Sequence, residues 1–241
     1  MVGDNPVMGG MGVAIDTREA ASALRWWLEA GVDIAIQENP RNWFDRVASP
    51  PEAPADEGTT SAQPLPDTLQ AFQHWLATSP DAPLASSSKP VLPQGAEGAE
   101  IMLLSEPPKR EELASALPIG GQSAQLMERM LAAIGMVGQA YSANLACFHS
   151  PGARLSPNQL EQCAAAARTH IALAKPKRLL LLGDTPSRAL LGKPLLESRA
   201  HVHKVEGVRT VATFHPRQLL ERPSDKRLAW QDLLLLTEEA L

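Results

Sequence analysis

Cysteines and long apolar runs are scarce in this sequence of 241 residues, and each scarcity excludes a class of protein. The two cysteines, Cys147 and Cys163, are too few for a disulfide framework and for the four thiolates of an iron–sulfur cluster or an all-cysteine zinc site. No run of about 18 apolar residues is present, which excludes a membrane-spanning helix. The first residues show neither the basic start nor the apolar stretch of a secretory signal, so we expect a cytoplasmic protein with no membrane partner.

Familiar catalytic and nucleotide-binding motifs are missing as well. No GxGxxG follows an apolar run, and Gly192 and Lys193 lack the spacing of a phosphate-binding Walker loop. A GxSxG nucleophile elbow is absent, and the histidines include no HExxH pair. His201 and His203 are two residues apart, and we expect a solvated pair on one face of an extended segment. We therefore predict no bound metal and no cofactor.

The charge is divided unevenly along the chain. The first 100 residues hold 14 acidic and 5 basic side chains, whereas the remainder holds 13 acidic and 17 basic ones. The mild positive balance of the C-terminal part suits a surface that contacts phosphates, but it also suits an ordinary surface.

Composition divides the chain into three segments. Residues 1–47 contain one amphipathic helix at 17–31, and residues 48–66 form a flexible linker rich in proline, alanine and acid. Residues 67–241 form the main domain. The aromatic side chains of the first segment leave two alternatives open: they dock a replication or repair protein, or they cover a flank of the main domain.

Short apolar runs alternate with longer amphipathic ones in the main domain. This alternation predicts an α/β fold, a three-layer α/β/α sandwich around a four-stranded parallel sheet. The predicted strands are 101–105, 140–146, 178–183 and 208–214. The predicted helices are 67–77, 122–134, 157–174, 185–191 and 226–241, with Ser156 and Thr185 as N-caps before prolines.

Polar residues follow each predicted strand, where open parallel sheets bind their ligands. Residues 105–109 read SEPPK, Asn144 lies near the end of the second strand, and His215 and Pro216 follow the last one. Pro118 and Ile119 precede a helix that starts near Gly121. Together these residues resemble the uracil-DNA glycosylase superfamily, in particular its family 4 type, over about Asp67 to Leu241.

The resemblance implies roles for individual residues. Glu106 matches the acid that positions water, and His215 matches the histidine that stabilises negative charge on the leaving base. Asn144 matches the asparagine that reads the uracil edge, its NH2 donating to O4 and its carbonyl accepting from N3. The remaining implied contacts are Pro108 and Ile119 to the base, and Arg217, Arg222, Lys226 and Arg227 to the DNA backbone.

The sequence also departs from the family pattern. Both glycines of the first motif are replaced, and Ile119 stands where the family has a phenylalanine that stacks on the base. Cys147 and Cys163 fall near the second pair of the family's iron–sulfur cysteines, but Ser79 and Ala82 occupy the first pair, so we predict no cluster. Two functions stay open: a hydrolytic DNA glycosylase for uracil or a related damaged base, which we favour, and a catalytically impaired module that binds DNA or a replication or repair protein.

Overall fold

The computed structural model describes residues 65–150 and 154–238, together with Ser22. The predicted helix at 17–31 and the predicted linker at 48–66 fall almost entirely outside these residues. None of the described helices is long and apolar enough to cross a membrane.

The described part of the chain contains one five-stranded sheet. Its strands lie in the order β2–β1–β3–β5–β4, and they are parallel except for β4, which pairs with β5 in the antiparallel sense. The strands are β1 (Ile101–Ser105), β2 (Ala140–Asn144), β3 (Arg178–Leu182), β4 (Val202–Val205) and β5 (Val208–Thr213).

The four predicted parallel strands are confirmed, but the prediction of a four-stranded sheet missed β4. This edge strand reads VHKV and is largely exposed, so it lacks the continuous apolar run by which the others were recognised. It joins β5 through a two-residue turn in which Glu206 and Gly207 both have positive φ, 48° and 80°. Such turns match the twist of paired antiparallel strands.

The predicted helices are present within the described residues, with small shifts at their ends. Ser156 caps the helix at 157–174 as expected, its hydroxyl accepting from the Gln159 amide. Thr185 does not act as an N-cap, because that helix already begins at Asp184 and Gly183 takes the cap position. Three further helices of four to six residues are too short for apolar periodicity to reveal. The helices are α1 (Leu69–Thr78), α2 (Arg110–Ser115), α3 (Gly121–Ala133), α4 (Pro157–Ala174), α5 (Asp184–Leu191), α6 (Leu195–Ser198), α7 (Pro216–Glu221) and α8 (Lys226–Thr237).

Helices cover both faces of the sheet. Successive residues of a strand point to opposite faces. Leu104 of β1 belongs to an apolar cluster with Ile171 of α4, whereas Leu103 belongs to a second cluster with Leu131 of α3 and Leu236 of α8. The three-layer α/β/α sandwich is therefore confirmed.

The chain order of the strands creates a crevice between β1 and β3. After β1 the chain moves outward to β2, and after β3 it moves in the opposite direction to β4 and β5. In open α/β sheets, ligands bind at the carboxyl ends of strands where the connections diverge in this way. The residues that follow β1 and β3 are thus the first to consider as a site.

A buried polar network lies beside the sheet, near α1. Gln73 of α1 donates to the Tyr141 hydroxyl at 2.8 Å, and this hydroxyl lies 2.6 Å from Nε2 of His170 on α4. The Tyr141 hydroxyl thus accepts from Gln73 and shares a second hydrogen bond with the His170 ring. Burial lowers the pKa of His170 to about 4.

Acid should therefore destabilise the fold through His170. The pKa of His170 is about 6.5 in the unfolded chain and about 4 in the folded one. Between these two pH values, the unfolded state therefore binds a proton that the folded state does not bind. We expect His170 to lower the free energy of unfolding by about 2 kcal/mol between pH 7 and pH 5. Urea unfolding at both pH values measures this change. Between pH 7 and pH 5, His170→Gln should lose about 2 kcal/mol less free energy of unfolding than the wild type. An unchanged pH dependence in the variant would contradict the assignment.

Candidate active site

Glu106 lies in the crevice between β1 and β3. It directly follows β1, and its carboxylate approaches Gly183, the residue that follows β3. A Cβ atom on Gly183 would lie 2.6 Å from the Glu106 Oε1 atom, which is far closer than van der Waals contact allows. The backbone of Gly183 has φ 102° and ψ −178°, a conformation that is essentially restricted to glycine. The absence of a side chain at position 183 therefore leaves room for the Glu106 carboxylate.

Gly183→Ala should destabilise the protein and displace Glu106. Alanine at position 183 would have to adopt a backbone conformation that costs about 1–3 kcal/mol, and its Cβ atom would collide with the Glu106 carboxylate. Gly192→Ala is the matched control, since Gly192 also has positive φ (70°) but a Cβ atom added there would meet nothing within 4 Å. Urea unfolding should show a clearly larger loss of stability for Gly183→Ala. Equal losses would mean that Gly183 does not constrain Glu106.

His215 is a neutral hydrogen-bond donor. Its Nδ1 accepts the backbone N–H of Arg217 at 3.0 Å, so in the neutral ring the proton resides on Nε2. Nε2 lies 3.0 Å from the Ser105 hydroxyl and donates to it. Burial lowers the pKa of His215 to about 3, and the positive charges of Arg217 and Lys109 act in the same direction. The ring is consequently uncharged at neutral pH.

Glu106 and His215 face a common cleft. This His215 cleft has a volume of about 300 Å³ and also contains Lys109, whose Nζ lies 3.5 Å from Glu106 Oε2. The structure thus brings together the carboxylate and the imidazole that the sequence singled out, although they are 109 positions apart in the chain. The full lining is Glu106, Lys109, His215, Arg217, Gln218, Glu221 and Arg222.

A second cleft of about 440 Å³ shares Glu106 and Lys109 with the His215 cleft. Pro108, one of the predicted base-contacting residues, lines it together with Asp184 at the start of α5. The carbonyl oxygen of Pro108 accepts from Nδ1 of His149 at 2.7 Å. A side chain beyond β2 therefore holds the 105–109 loop in place.

Asn144 holds the same loop. Its NH2 donates to the carbonyl oxygens of Glu106 at 2.8 Å and Pro118 at 3.0 Å. The NH2 that we expected to read uracil O4 is therefore engaged by the backbone in this structure. Its Oδ1 is buried and has no hydrogen-bond partner among the described residues.

Ile119 is a core residue in this structure. It is 7% exposed and packs with Ile101 of β1 and Met127 of α3. The position at which we expected a contact to the base is thus occupied by an aliphatic side chain that faces the sheet. Pro118, its neighbour, reaches the site through its carbonyl oxygen.

The four predicted phosphate-binding residues divide into two kinds. Arg222, Lys226 and Arg227 are exposed, near the end of α7 and the start of α8. Arg217 is instead partly buried, and its Nη2 lies 2.6 Å from Oε1 of the buried Glu112. Its expected phosphate contact must compete with this ion pair.

Glu112 is a structural residue of the site that sequence reasoning missed. Besides pairing with Arg217, its carboxylate accepts from the backbone N–H of Lys109 at 3.0 Å. It therefore links the loop after β1 to the loop after β5. An acid three residues into a helix often bonds the cap residue in this way, so its position after Lys109 was the available signal.

The residues present do not fit a four-cysteine iron–sulfur cluster. Cys147 and Cys163 are both buried, and burial raises the pKa of each thiol to about 12. Ser79 and Ala82, at the other two expected positions, supply no thiolate. Within the described residues, no group of three or more His, Cys, Asp or Glu side chains is arranged to hold a metal.

Comparison with known proteins agrees with this architecture. A model of the uracil DNA glycosylase superfamily matches residues 92–234. The type-4 uracil-DNA glycosylase of Archaeoglobus fulgidus is 28% identical over 141 residues, which cover 54% of this chain and 71% of that protein. The type-4 uracil-DNA glycosylase of Pyrobaculum aerophilum is 24% identical over 181 residues, which cover 69% of this chain and 92% of that protein.

The matched range contains the three residues to which the resemblance assigns roles in recognising and releasing the base. Glu106, Asn144 and His215 lie within it, and so do the five strands of the described sheet. The low identity to both relatives agrees with the departures noted at Lys109 and Ile119. Since the match spans more than half of the chain, this chain belongs to the uracil-DNA glycosylase superfamily.

Proposed function

We propose that this chain is a hydrolytic DNA glycosylase that removes uracil or a related damaged base from DNA. The observation that carries the proposal is the shared cleft of Glu106 and His215, a carboxylate and a neutral N–H donor at the crevice of the sheet. Cleavage of an N-glycosidic bond leaves positive charge on the sugar and negative charge on the base. The Glu106 carboxylate suits the positive charge on the sugar, and the His215 N–H donor suits the negative charge on the base.

His215 acts on the leaving base. Its Nε2–H, now directed at Ser105, donates to a base oxygen as negative charge develops there. The Arg217 amide holds the ring in the tautomer that carries this proton, so only the hydrogen bond to Ser105 has to be exchanged for one to the base.

Glu106 acts on the sugar and on water. Its carboxylate stabilises the cationic sugar and orients the water that adds to the anomeric carbon. The hydrogen bonds of Asn144 and His149 to the carbonyls of the 105–109 loop hold this carboxylate in position. Glu106 therefore depends on Asn144 at the end of β2 and on His149 beyond it, as well as on Gly183.

Asn144 reads the base edge through its oxygen. The base must first be extruded from the DNA stack to reach the site. Oδ1 is an acceptor, which suits the N3–H of uracil, whereas donation to O4 requires the NH2 to leave one of its two carbonyl partners. Arg222, Lys226 and Arg227 hold the DNA backbone through its phosphates.

Single-turnover release of base tests the proposal. Single-stranded and duplex oligonucleotides with one uracil are compared with matched oligonucleotides that carry thymine instead. We expect release from the uracil substrates, and loss of that release in Glu106→Gln but not in Glu197→Gln, a substitution of an exposed residue on α6. No release from either uracil substrate would overturn uracil as the excised base and leave related damaged bases to be assayed in the same way.

A specific contact favours a second candidate function, a catalytically impaired module that binds DNA. The Lys109 ammonium group beside Glu106 offsets the charge that the glycosylase needs there, and no aromatic side chain stands at position 119. Salt-sensitive binding to the same oligonucleotides without base release would support this function.

A further inference from the structure

We propose that Lys109 forms an imine with the abasic sugar and that the chain cleaves the DNA strand at that sugar. This proposal rests on the proposed function in one respect, namely that the sugar binds between Glu106 and His215. The result would be a glycosylase with an associated strand-cleaving lyase activity.

The position of Lys109 carries the inference. Its Nζ lies 3.5 Å from Glu106 Oε2, and Lys109 lines both clefts that meet at this carboxylate. The side chain is 56% exposed, so it is free to turn from Glu106 toward a sugar bound in the His215 cleft. Glu106 acts at the anomeric carbon in the proposed hydrolysis, so that carbon is within reach of the amine.

The backbone at Lys109 is fixed while its amine stays free to move. The N–H of Lys109 donates to the buried Glu112 carboxylate, and its carbonyl accepts from Leu113 in the first turn of α2. Glu112 in turn pairs with Arg217 next to His215. This arrangement anchors the lysine at the rim of the cleft.

The chemistry needs no further reagent. An abasic sugar opens to an aldehyde at C1′. The Lys109 ammonium group gives a proton to the adjacent Glu106 carboxylate, and the resulting amine adds to C1′. The protonated Glu106 then passes that proton to the former carbonyl oxygen, which leaves as water, so that a protonated imine remains and Glu106 is again a carboxylate. The Glu106 carboxylate then takes a proton from C2′. The electron pair of that C–H bond forms a C2′–C3′ double bond, and the bond from C3′ to the phosphate oxygen breaks. Water finally hydrolyses the imine and restores the lysine.

Borohydride trapping tests the inference, because borohydride reduces an imine to a stable amine. The probe is an oligonucleotide with one abasic site prepared beforehand without this protein. We expect a covalent adduct with the full chain that mass spectrometry maps to Lys109, and strand cleavage at the abasic site when borohydride is left out. Lys109→Arg, which keeps the positive charge, should lower adduct yield by about tenfold or more.

Lys204→Gln is the matched control, since Lys204 is exposed on β4 and pairs in register with Arg209, at the opposite end of β5 from His215. Circular dichroism and binding to the abasic oligonucleotide establish that both variants are folded. No adduct with the wild type, or an adduct that persists in Lys109→Arg, overturns the inference. Because the abasic site is supplied ready-made, an adduct without uracil release would sink only the glycosylase, and uracil release without an adduct would sink only the lyase.

Discussion

Replacement of His215 with alanine should slow the release of uracil by about 10²–10³-fold under single-turnover conditions. The removed group is a buried N–H donor held in one tautomer by the Arg217 amide, and its pKa of about 3 keeps it uncharged at neutral and mildly acidic pH. Loss of such a fixed donor removes stabilisation that appears only as charge develops on the base. Substrate binding should therefore change much less than the rate.

His201→Ala is the matched control, because His201 is exposed just before β4. Its rate should equal that of the wild type. Because the His215 ring stays neutral down to well below pH 6.5, protonation of His215 should not lower the wild-type rate of uracil release near that pH. Uracil release by His215→Ala at the wild-type rate would remove His215 from the mechanism.

Asp232→Ala should lower the free energy of unfolding by about 3–5 kcal/mol. Asp232 of α8 is fully buried and pairs with Arg199, whose Nη2 lies 3.1 Å from Oδ1. Its carboxylate also accepts from the Thr213 hydroxyl at 2.8 Å and from the Ala200 amide at 3.0 Å. Burial raises the pKa of Asp232, while Thr213 and Arg199 oppose that shift, so the carboxylate depends on these partners for its charge.

Removal of the carboxylate leaves a mostly buried guanidinium group and a buried hydroxyl without their partner. Thr213 ends β5 two residues before His215, so we also expect slower base release in Asp232→Ala. Urea unfolding measures the stability, with Asp81→Ala on the surface as a control that should change it by less than about 0.5 kcal/mol. A loss for Asp232→Ala as small as that of the control would show that the ion pair contributes little.

Uninterrupted apolar runs were enough to predict the central strands. β1 and β3 are buried on both faces, so nearly every position in them must be apolar, and such runs stand out in the sequence. β4 could not be found in this way, because an edge strand with exposed faces accepts histidine and lysine. The local signal for β4 is its hairpin turn at Glu206 and Gly207, which lies directly before the apolar run of β5.

The candidate site, like the sheet, could be predicted only in part from the sequence. The positions of Glu106 and His215 followed from the sequence, since parallel strands bring their carboxyl ends to one edge of the sheet. Which partner each polar side chain takes did not follow. Asn144 donates to two backbone carbonyls and Arg217 pairs with Glu112, contacts between residues 26 to 105 positions apart in the chain.

The sequence by itself thus determined the four parallel strands, the longer covering helices and the edge at which the site lies, because these depend on apolar patterning along short stretches of chain. Only the tertiary structure decided that Gly183 makes room for Glu106, that His215 is held as a neutral donor, and that Ile119 belongs to the core. Each of these depends on distances between segments remote in sequence. Such distances are set by packing of the whole domain, which no local pattern encodes.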